Sequence, residues 1–306
     1  METEQAASHW CPELRACLLP ARIISRMIRL DAHQHFWRYS PKEHTWMTDA
    51  MAALKRDFLP GDLAPLLQEH GLDGSIAVQA RQSLEETRWL LELASVHEQI
   101  KGVVGWVDLC SPQLRAQLEG LASNRRLVGV RHVLQDEPDD AFMLRPEFRR
   151  GVAQLAEFGL AYDVLIFPRH LPCAVKLARE FPQQHFVLDH LAKPLIADQL
   201  VQPWASHLRE LAQCDNVACK LSGMVTEAHW KAWRIEDFTP YLDVAMEAFG
   251  PNRLMIGSDW PVCTLSADYS ATMGIVTAYV ERLTASERAS VLGGTCARVY
   301  GILESA

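Results

Sequence analysis

Asp31-Ala32-His33-Gln34-His35 near the start of the chain and Gly257-Ser258-Asp259-Trp260-Pro261 near its end carry the residue types best suited to chemistry. Each follows an apolar run. In a strand, residues two apart share a face, so His33 and His35 project together from a strand end, where a metal ion or a reacting carbonyl can sit. An ionised Asp259 beside them could hold a water and take its proton. The two strings lie far apart in the chain, so they form one site only if the sheet that carries them closes on itself.

The segment between them reads as such a sheet. Short β-type runs recur at Ile28–Asp31, Gly74–Ala80, Val103–Leu109, Leu127–Leu134, Ala161–Phe167, His185–His190, Val217–Leu221 and Leu254–Gly257, with a helix-like stretch before each next run. Most are apolar throughout, as strands buried on both faces are. Ser83-Leu84-Glu85-Glu86 has the pattern of a capping box opening a helix to His97, and Ser111-Pro112 reads as an N-cap with proline at the first helical position. Eight alternating units without a break in composition predict a single (β/α)8 barrel over residues 27–306. An open doubly wound sheet fits less well, because no glycine-rich turn follows the first strand.

In such a barrel catalysis belongs at the carboxyl ends of the strands, and polar residues fall there. Reading outward from each strand gives His33 and His35, then Gln79, Asp108, and Arg131 with His132. Arg169 and His170 follow the fifth strand, Asp189, His190 and Lys193 the sixth, Lys220 and Ser222 lie on the seventh, and Asp259 follows the eighth. A histidine pair on the first strand and a carboxylate after the last become neighbours once the barrel closes.

Composition bounds the partners. The chain has 306 residues, 49% hydrophobic and 22% charged, with a formal net charge of −8 spread along it. That is a globular enzyme-sized domain without the clustered basic stripe that nucleic acid requires, and without a membrane-spanning run. Eight scattered cysteines with no CxxC pair suit reduced thiols in a cytoplasm better than a disulfide framework or a zinc ribbon. Residues 1–26 stand apart: early glutamates, Pro20 and Arg22 break up any signal-like run, and the expectation is a disordered or loosely docked extension, with a lid or dimerisation arm as the alternative. A homo-oligomer is left open.

The motifs Asp31-Ala32-His33-Gln34-His35-Phe36-Trp37, Asp189-His190-Leu191-Ala192-Lys193-Pro194 and Gly257-Ser258-Asp259-Trp260-Pro261, together with Ser83-Leu84-Glu85-Glu86-Thr87 and Gly129-Val130-Arg131-His132, resemble the amidohydrolase superfamily over about residues 28–302. The resemblance is to its amidohydrolase-2 branch, and there most to the sugar lactonases. It implies that His33, His35, His190 and Asp259 surround one site, acting in catalysis and as the ligands of any metal. It also implies a small sugar lactone as substrate and a place in carbohydrate metabolism.

Lactone hydrolysis needs an activated water, a polarised carbonyl oxygen and a proton for the leaving alkoxide. Asp259 suits the general base and His190 the group that meets the carbonyl oxygen. Binuclear members of the superfamily carry a bridging lysine, glutamate or cysteine on the fourth strand, where this chain reads Val130-Arg131-His132-Val133, so the expectation is no metal or one divalent ion, zinc foremost. Arg131 points either toward a substrate hydroxyl or carboxylate, or into the core, where it would need a carboxylate partner. Lys193 suits the same binding role, Trp37 either stacks on a sugar ring or packs its loop, and Gln79 either bonds a hydroxyl or caps backbone. The competing readings are a metal-dependent decarboxylase of an aromatic or muconate-type acid, which would want several converging arginines, and a noncatalytic ligand-binding barrel.

Overall fold

The computed structural model describes residues 27–302, so the expectation for residues 1–26 lies outside the described residues. Eight parallel strands, β1 (Leu30–Gln34), β2 (Gly74–Val78), β3 (Ile100–Gly105), β4 (Leu127–Val133), β5 (Ala161–Leu165), β6 (Phe186–Leu188), β7 (Val217–Leu221) and β8 (Leu254–Ile256), are hydrogen-bonded in chain order. The chain is a single (β/α)8 barrel, as the alternation of runs predicts.

Between β8 and β1 the ladder is replaced by a few specific contacts. His35 N–H donates to Trp260 O (2.7 Å) and Asp259 N–H to His33 O (2.8 Å). Below them the buried carboxylate of Asp31 accepts from the Ser258 amide (2.9 Å), the Ser258 hydroxyl (2.6 Å) and the Tyr269 hydroxyl (3.1 Å). An unpaired carboxylate at this depth would cost several kcal/mol, roughly, so its donors make the closure specific as well as stable. The first and last motifs are thus bolted together by the residues next to the ones that do chemistry.

The helices that cover the barrel begin with α1 (Pro60–Glu69), α2 (Leu84–Val96), α3 (Leu114–Leu121), α4 (Pro146–Leu155), α5 (Leu171–Glu180) and α6 (Trp204–Ala212). After β7 come α7 (Met224–Glu227) and α8 (Thr239–Phe249), and after β8 α9 (Tyr269–Val280). Ser83 caps α2 as expected, accepting from the Glu85 and Glu86 amides, but Glu86 does not complete the box. Its carboxylate turns back to accept from Ala80 N (2.9 Å) and Arg81 N (2.7 Å), pinning the loop after β2. The Ser111-Pro112 expectation is corrected: α3 starts at Leu114, because Ser111 Oγ accepts from the Gln113 amide (3.1 Å) and holds a turn there.

The lumen is layered. One buried apolar cluster takes residues from all eight strands, among them Ala32, Val78, Val104, Ala161, Val187, Ala218 and Met255, and forms the floor. Two residues further along the chain, about 6.6 Å higher, stand Asp163 on β5, Asp189 just after β6 and Lys220 on β7. All three are fully buried.

Candidate active site

Two glycines set how the site is packed. Gly257 leaves room for His33, since a Cβ there would lie 2.9 Å from the His33 Cβ. Gly223 adopts φ +63° and passes so close to His190 that a Cβ would stand 2.5 Å from its Nδ1. His190 itself leaves the strand geometry. From His190 to Lys193 four consecutive residues take φ between +53° and +59°, and Asp259 takes +56°. Left-handed backbone costs non-glycine residues roughly 1–2 kcal/mol each, so these turns persist only because their surroundings hold them. Lys193 N–H donates to His190 O (2.7 Å), the Trp204 indole N–H donates to Leu191 O (2.7 Å), and Leu191 and Ala192 are fully buried.

The result is a tight convergence of ligand-type atoms. His33 Nε2 lies 3.1 Å from His35 Nε2. Asp259 Oδ1 lies 3.3 Å from His35 Nε2, 3.7 Å from His33 Nε2 and 3.9 Å from His190 Nε2. His35 Nδ1 sits 2.8 Å from the Val78 carbonyl, which can only accept, so the hydrogen of that ring is on Nδ1 and its Nε2 presents a bare lone pair to the site. Burial would raise the Asp259 carboxyl, but the neighbouring His190, His35 and His33 hold it well below the usual carboxylate range. Burial also lowers the imidazoles, His190 to about 4 and His33 well below its ordinary value. The state these directions favour is an ionised Asp259 beside neutral His33 and His190.

That electron-rich cluster fits a cation. Tetrahedral ligands about 2.0–2.1 Å from zinc stand roughly 3.4 Å from one another, and His33, His35 and Asp259 meet that spacing. Among the described residues the same three form one of two groups of His and Asp side chains that could hold an ion, His33, Asp189 and His190 the other.

Beneath the cluster lies an ionic layer that the sequence reading missed. Lys220 Nζ is 2.5 Å from Asp163 Oδ2, 3.0 Å from Asp189 Oδ1 and 3.1 Å from His33 Nδ1. Arg131 donates to Asp189 Oδ2 (2.9 Å) and to Gln79 O (2.5 Å), and the Tyr300 hydroxyl donates to Asp163 (2.8 Å). Two cations and two carboxylates thus balance. Burial raises Asp163 to about 6 despite Lys220, while Asp189, which burial would raise, is held well below its usual range by Lys220 and His33. Lys220 is raised in spite of burial by Asp163 and Asp189. The layer presses on His33 through Nδ1 and orients its other nitrogen toward the site. The only signal along the chain is that Asp163 and Lys220 each interrupt an otherwise apolar strand.

Above the cluster opens a cavity of about 730 Å³. It is lined by His35, His190 and Asp259 and also by Arg131, Lys193 and Trp37. Arg131 therefore reaches the wall and is paired with a carboxylate at once, while its buried Nε has no hydrogen-bond partner among the described residues. Trp37 packs edge-on against Phe58 and donates its indole N–H to Arg56 O (2.9 Å). Gln79 is fully buried and does not line the cavity; its Nε2 is 3.4 Å from Arg131 O. Other strand-end polar residues belong elsewhere. His132 pairs with Glu137 (2.7 Å), His170 and Arg169 with Asp140 (2.9 Å each), and Asp108 accepts from the Cys110 amide (3.0 Å). Ser222 Oγ lies 2.9 Å from His190 Nδ1.

A closed parallel barrel with a histidine pair on its first strand, a histidine after its sixth and an aspartate after its eighth defines a class of hydrolytic enzyme, and the comparisons agree with it. The family model described as "Amidohydrolase" matches residues 30–302, and the chain belongs to that family, in its amidohydrolase-2 branch. An L-fucono-1,5-lactonase from Burkholderia multivorans is 45% identical over 290 residues, 91% of this chain and 98% of that one. An L-fucono-1,5-lactonase from Burkholderia ambifaria is 39% identical over 280 residues, 90% of this chain and 96% of that one. A crystal structure of an amidohydrolase from Burkholderia multivorans with bound zinc superposes with a TM-score of 0.87 at 45% identity, covering 90% of this chain and 100% of the other.

Proposed function

We propose that this protein is a lactonase that opens a sugar-acid lactone of the L-fucono-1,5-lactone type to the free acid. The observation that carries this is Asp259, an ionised carboxylate ringed by three imidazoles at the base of a cavity large enough for a sugar ring. The similarity to two L-fucono-1,5-lactonases supports the substrate class.

The chain's own groups account for the proton inventory. Asp259 holds a water by its carboxylate and takes the proton as the water oxygen bonds to the lactone carbonyl carbon. When Ser222 donates to His190 Nδ1, the hydrogen of that ring is on Nε2, where it donates to the carbonyl oxygen as negative charge develops there. The bond from the carbonyl carbon to the ring oxygen then breaks, and Asp259 returns its proton to the departing alkoxide. Lys220, Asp189 and Arg131 fix His33 from below. His33, His35 and Asp259 would hold a divalent ion, zinc by the preference of imidazole and carboxylate donors, and such an ion would supply Lewis acidity.

Arg131 is engaged by Asp189, and no second arginine of the cavity is unpaired among the described residues, which speaks against a decarboxylase gripping an acid substrate. Cys110, Cys173, Cys214, Cys219, Cys263 and Cys296 are free thiols, which supports a reducing compartment and a cytoplasmic location. No helix among the described residues is long and apolar enough to cross a membrane.

The test is a panel of sugar-acid 1,5- and 1,4-lactones assayed by acid release, with and without chelator. Hydrolysis of at least one deoxyhexonolactone is expected. No acid release from any lactone, by protein supplied with zinc, would overturn the reading.

A further inference from the structure

On the wall above the imidazoles stand two charges that the hydrolytic steps do not use. Glu227 ends α7, and its backbone carbonyl accepts the Ala197 N–H (2.9 Å), tying this short helix to the loop after β6. Lys193 ends the left-handed stretch of that loop. Both line the cavity beside Thr226 and Trp230, with 21% and 20% of their side chains exposed, so they face the cavity rather than bulk water. Lys193 Nζ and Glu227 Oε1 are 3.9 Å apart, near enough to compensate each other's charge and too far for a hydrogen bond. Among the described residues neither head group makes a hydrogen bond that would occupy it.

The other cations of the cavity differ. Arg81 is held by Glu43 (2.6 Å) and Glu86 (3.4 Å), and Arg131 by Asp189 (2.9 Å). Each of these cations therefore has its counter-charge, and the hydrogen-bonding capacity left open on the wall lies in the Glu227 carboxylate and Lys193 ammonium, alongside Asp136 and the buried Trp46 Nε1, Gln135 Oε1 and Arg131 Nε.

We propose that Glu227, charge-compensated by Lys193, is the specificity-determining residue of this cavity, accepting hydroxyl hydrogens from a vicinal diol and so selecting uncharged, polyhydroxylated lactones over unhydroxylated or carboxylated ones. The proposal rests on the lactonase reading. A carboxylate with two oxygens matches two adjacent hydroxyls, and each O–H···O⁻ bond is short and about twice as strong as a neutral one. The Lys193 ammonium can donate to the oxygen of a hydroxyl on the same substrate. A lactone bearing its own carboxylate would meet Glu227 and Asp259 with no unpaired cation to receive it, and like-charge contact of that kind works as exclusion.

The experiment compares wild type with Glu227→Gln and Glu227→Ala on three substrates: L-fucono-1,5-lactone, δ-valerolactone and 2-pyrone-4,6-dicarboxylate, with a melting curve for each protein. Glu227→Gln keeps size and one acceptor oxygen. It is expected to raise KM for the hydroxylated lactone roughly 10- to 100-fold with kcat changed far less, the loss of a charged hydrogen bond. The ratio of kcat/KM for L-fucono-1,5-lactone over δ-valerolactone should fall accordingly, and further in Glu227→Ala, and discrimination against the dicarboxylate should weaken. Equal losses on the hydroxylated and unhydroxylated lactones would mark a structural or catalytic role and overturn the proposal, as would unchanged ratios. Wild-type protein that hydrolyses no lactone would instead overturn the lactonase reading, and this inference with it.

Discussion

Ala161, Val187 and Ala218 stand two residues before Asp163, Asp189 and Lys220 along β5, β6 with the turn that follows it, and β7, and the two levels of the lumen solve the same packing problem differently. At the floor the interior is filled by apolar side chains carried on regular strands, mostly small or branched, with Met255 among them. One step higher it is filled by charges that balance in pairs, and one step above that the backbone itself departs into left-handed turns at His190–Lys193 and Asp259. Stability and chemistry are therefore separated along the barrel axis, with the ionic layer as the joint between them. Burying Lys220 and two aspartates is costly, and a hydrophobic layer of equal volume would serve the fold as well or better. Its presence is explained by what it touches, which is His33.

The largest effect that would break this division lies at the mouth. Asp259→Asn keeps the size of the side chain but cannot take a proton from water, so lactone hydrolysis should fall roughly 10²- to 10⁴-fold while the melting curve stays close to wild type. Near-normal turnover would remove Asp259 from proton transfer. Loss of folding would show that the mouth also carries stability, contrary to the separation drawn above.

The joint should fail in both respects. Lys220→Met leaves Asp163 buried without a cation and Asp189 with Arg131 alone, which costs about 3–5 kcal/mol and should appear as a lowered denaturant midpoint. Because Lys220 touches His33 Nδ1, kcat should drop as well, under conditions where the variant is still folded. A destabilised variant with unchanged kcat would reduce the layer to a structural element. At the floor, Met255→Ala should cost about 2–5 kcal/mol by opening a cavity, with kcat little altered.

Metal content sharpens the comparison from another side. β4 offers Arg131 and His132 where a bridging ligand would be needed, and both are paired with carboxylates, so elemental analysis should find no more than one divalent ion per chain. Two tightly held equivalents, with activity following the second, would mean that the His33, Asp189 and His190 group also binds an ion and that the ionic layer belongs to the site itself.

How much of this was legible in the sequence follows the same division. All eight strands were readable because apolar runs report burial on both faces. The ends of β1, β6 and β8 were readable because their residue types carry a family resemblance. The ionic layer was not read, since Asp163, Asp189 and Lys220 are neighbours only in the sheet, and Lys220 looks isolated along the chain. Nor could the His190–Lys193 turn be foreseen: it contains no glycine or asparagine, and buried contacts such as Trp204 to Leu191 O impose it. Glu227 sits on a four-residue helix with no motif around it.

The smallest expected effect concerns residues 1–26. The family match begins at residue 30, and Leu30 already belongs to the floor of the barrel, so the described residues supply a side chain to every layer of the lumen. The polar mouth likewise takes its described lining from His35 onward. We propose that residues 1–26 are a dispensable extension. Deleting them should leave kcat, KM and the melting temperature close to those of the full chain, measured side by side. If the truncated protein folds but loses most of its activity, the extension reaches the mouth or a second subunit, and the account of the site as a property of the barrel alone is wrong.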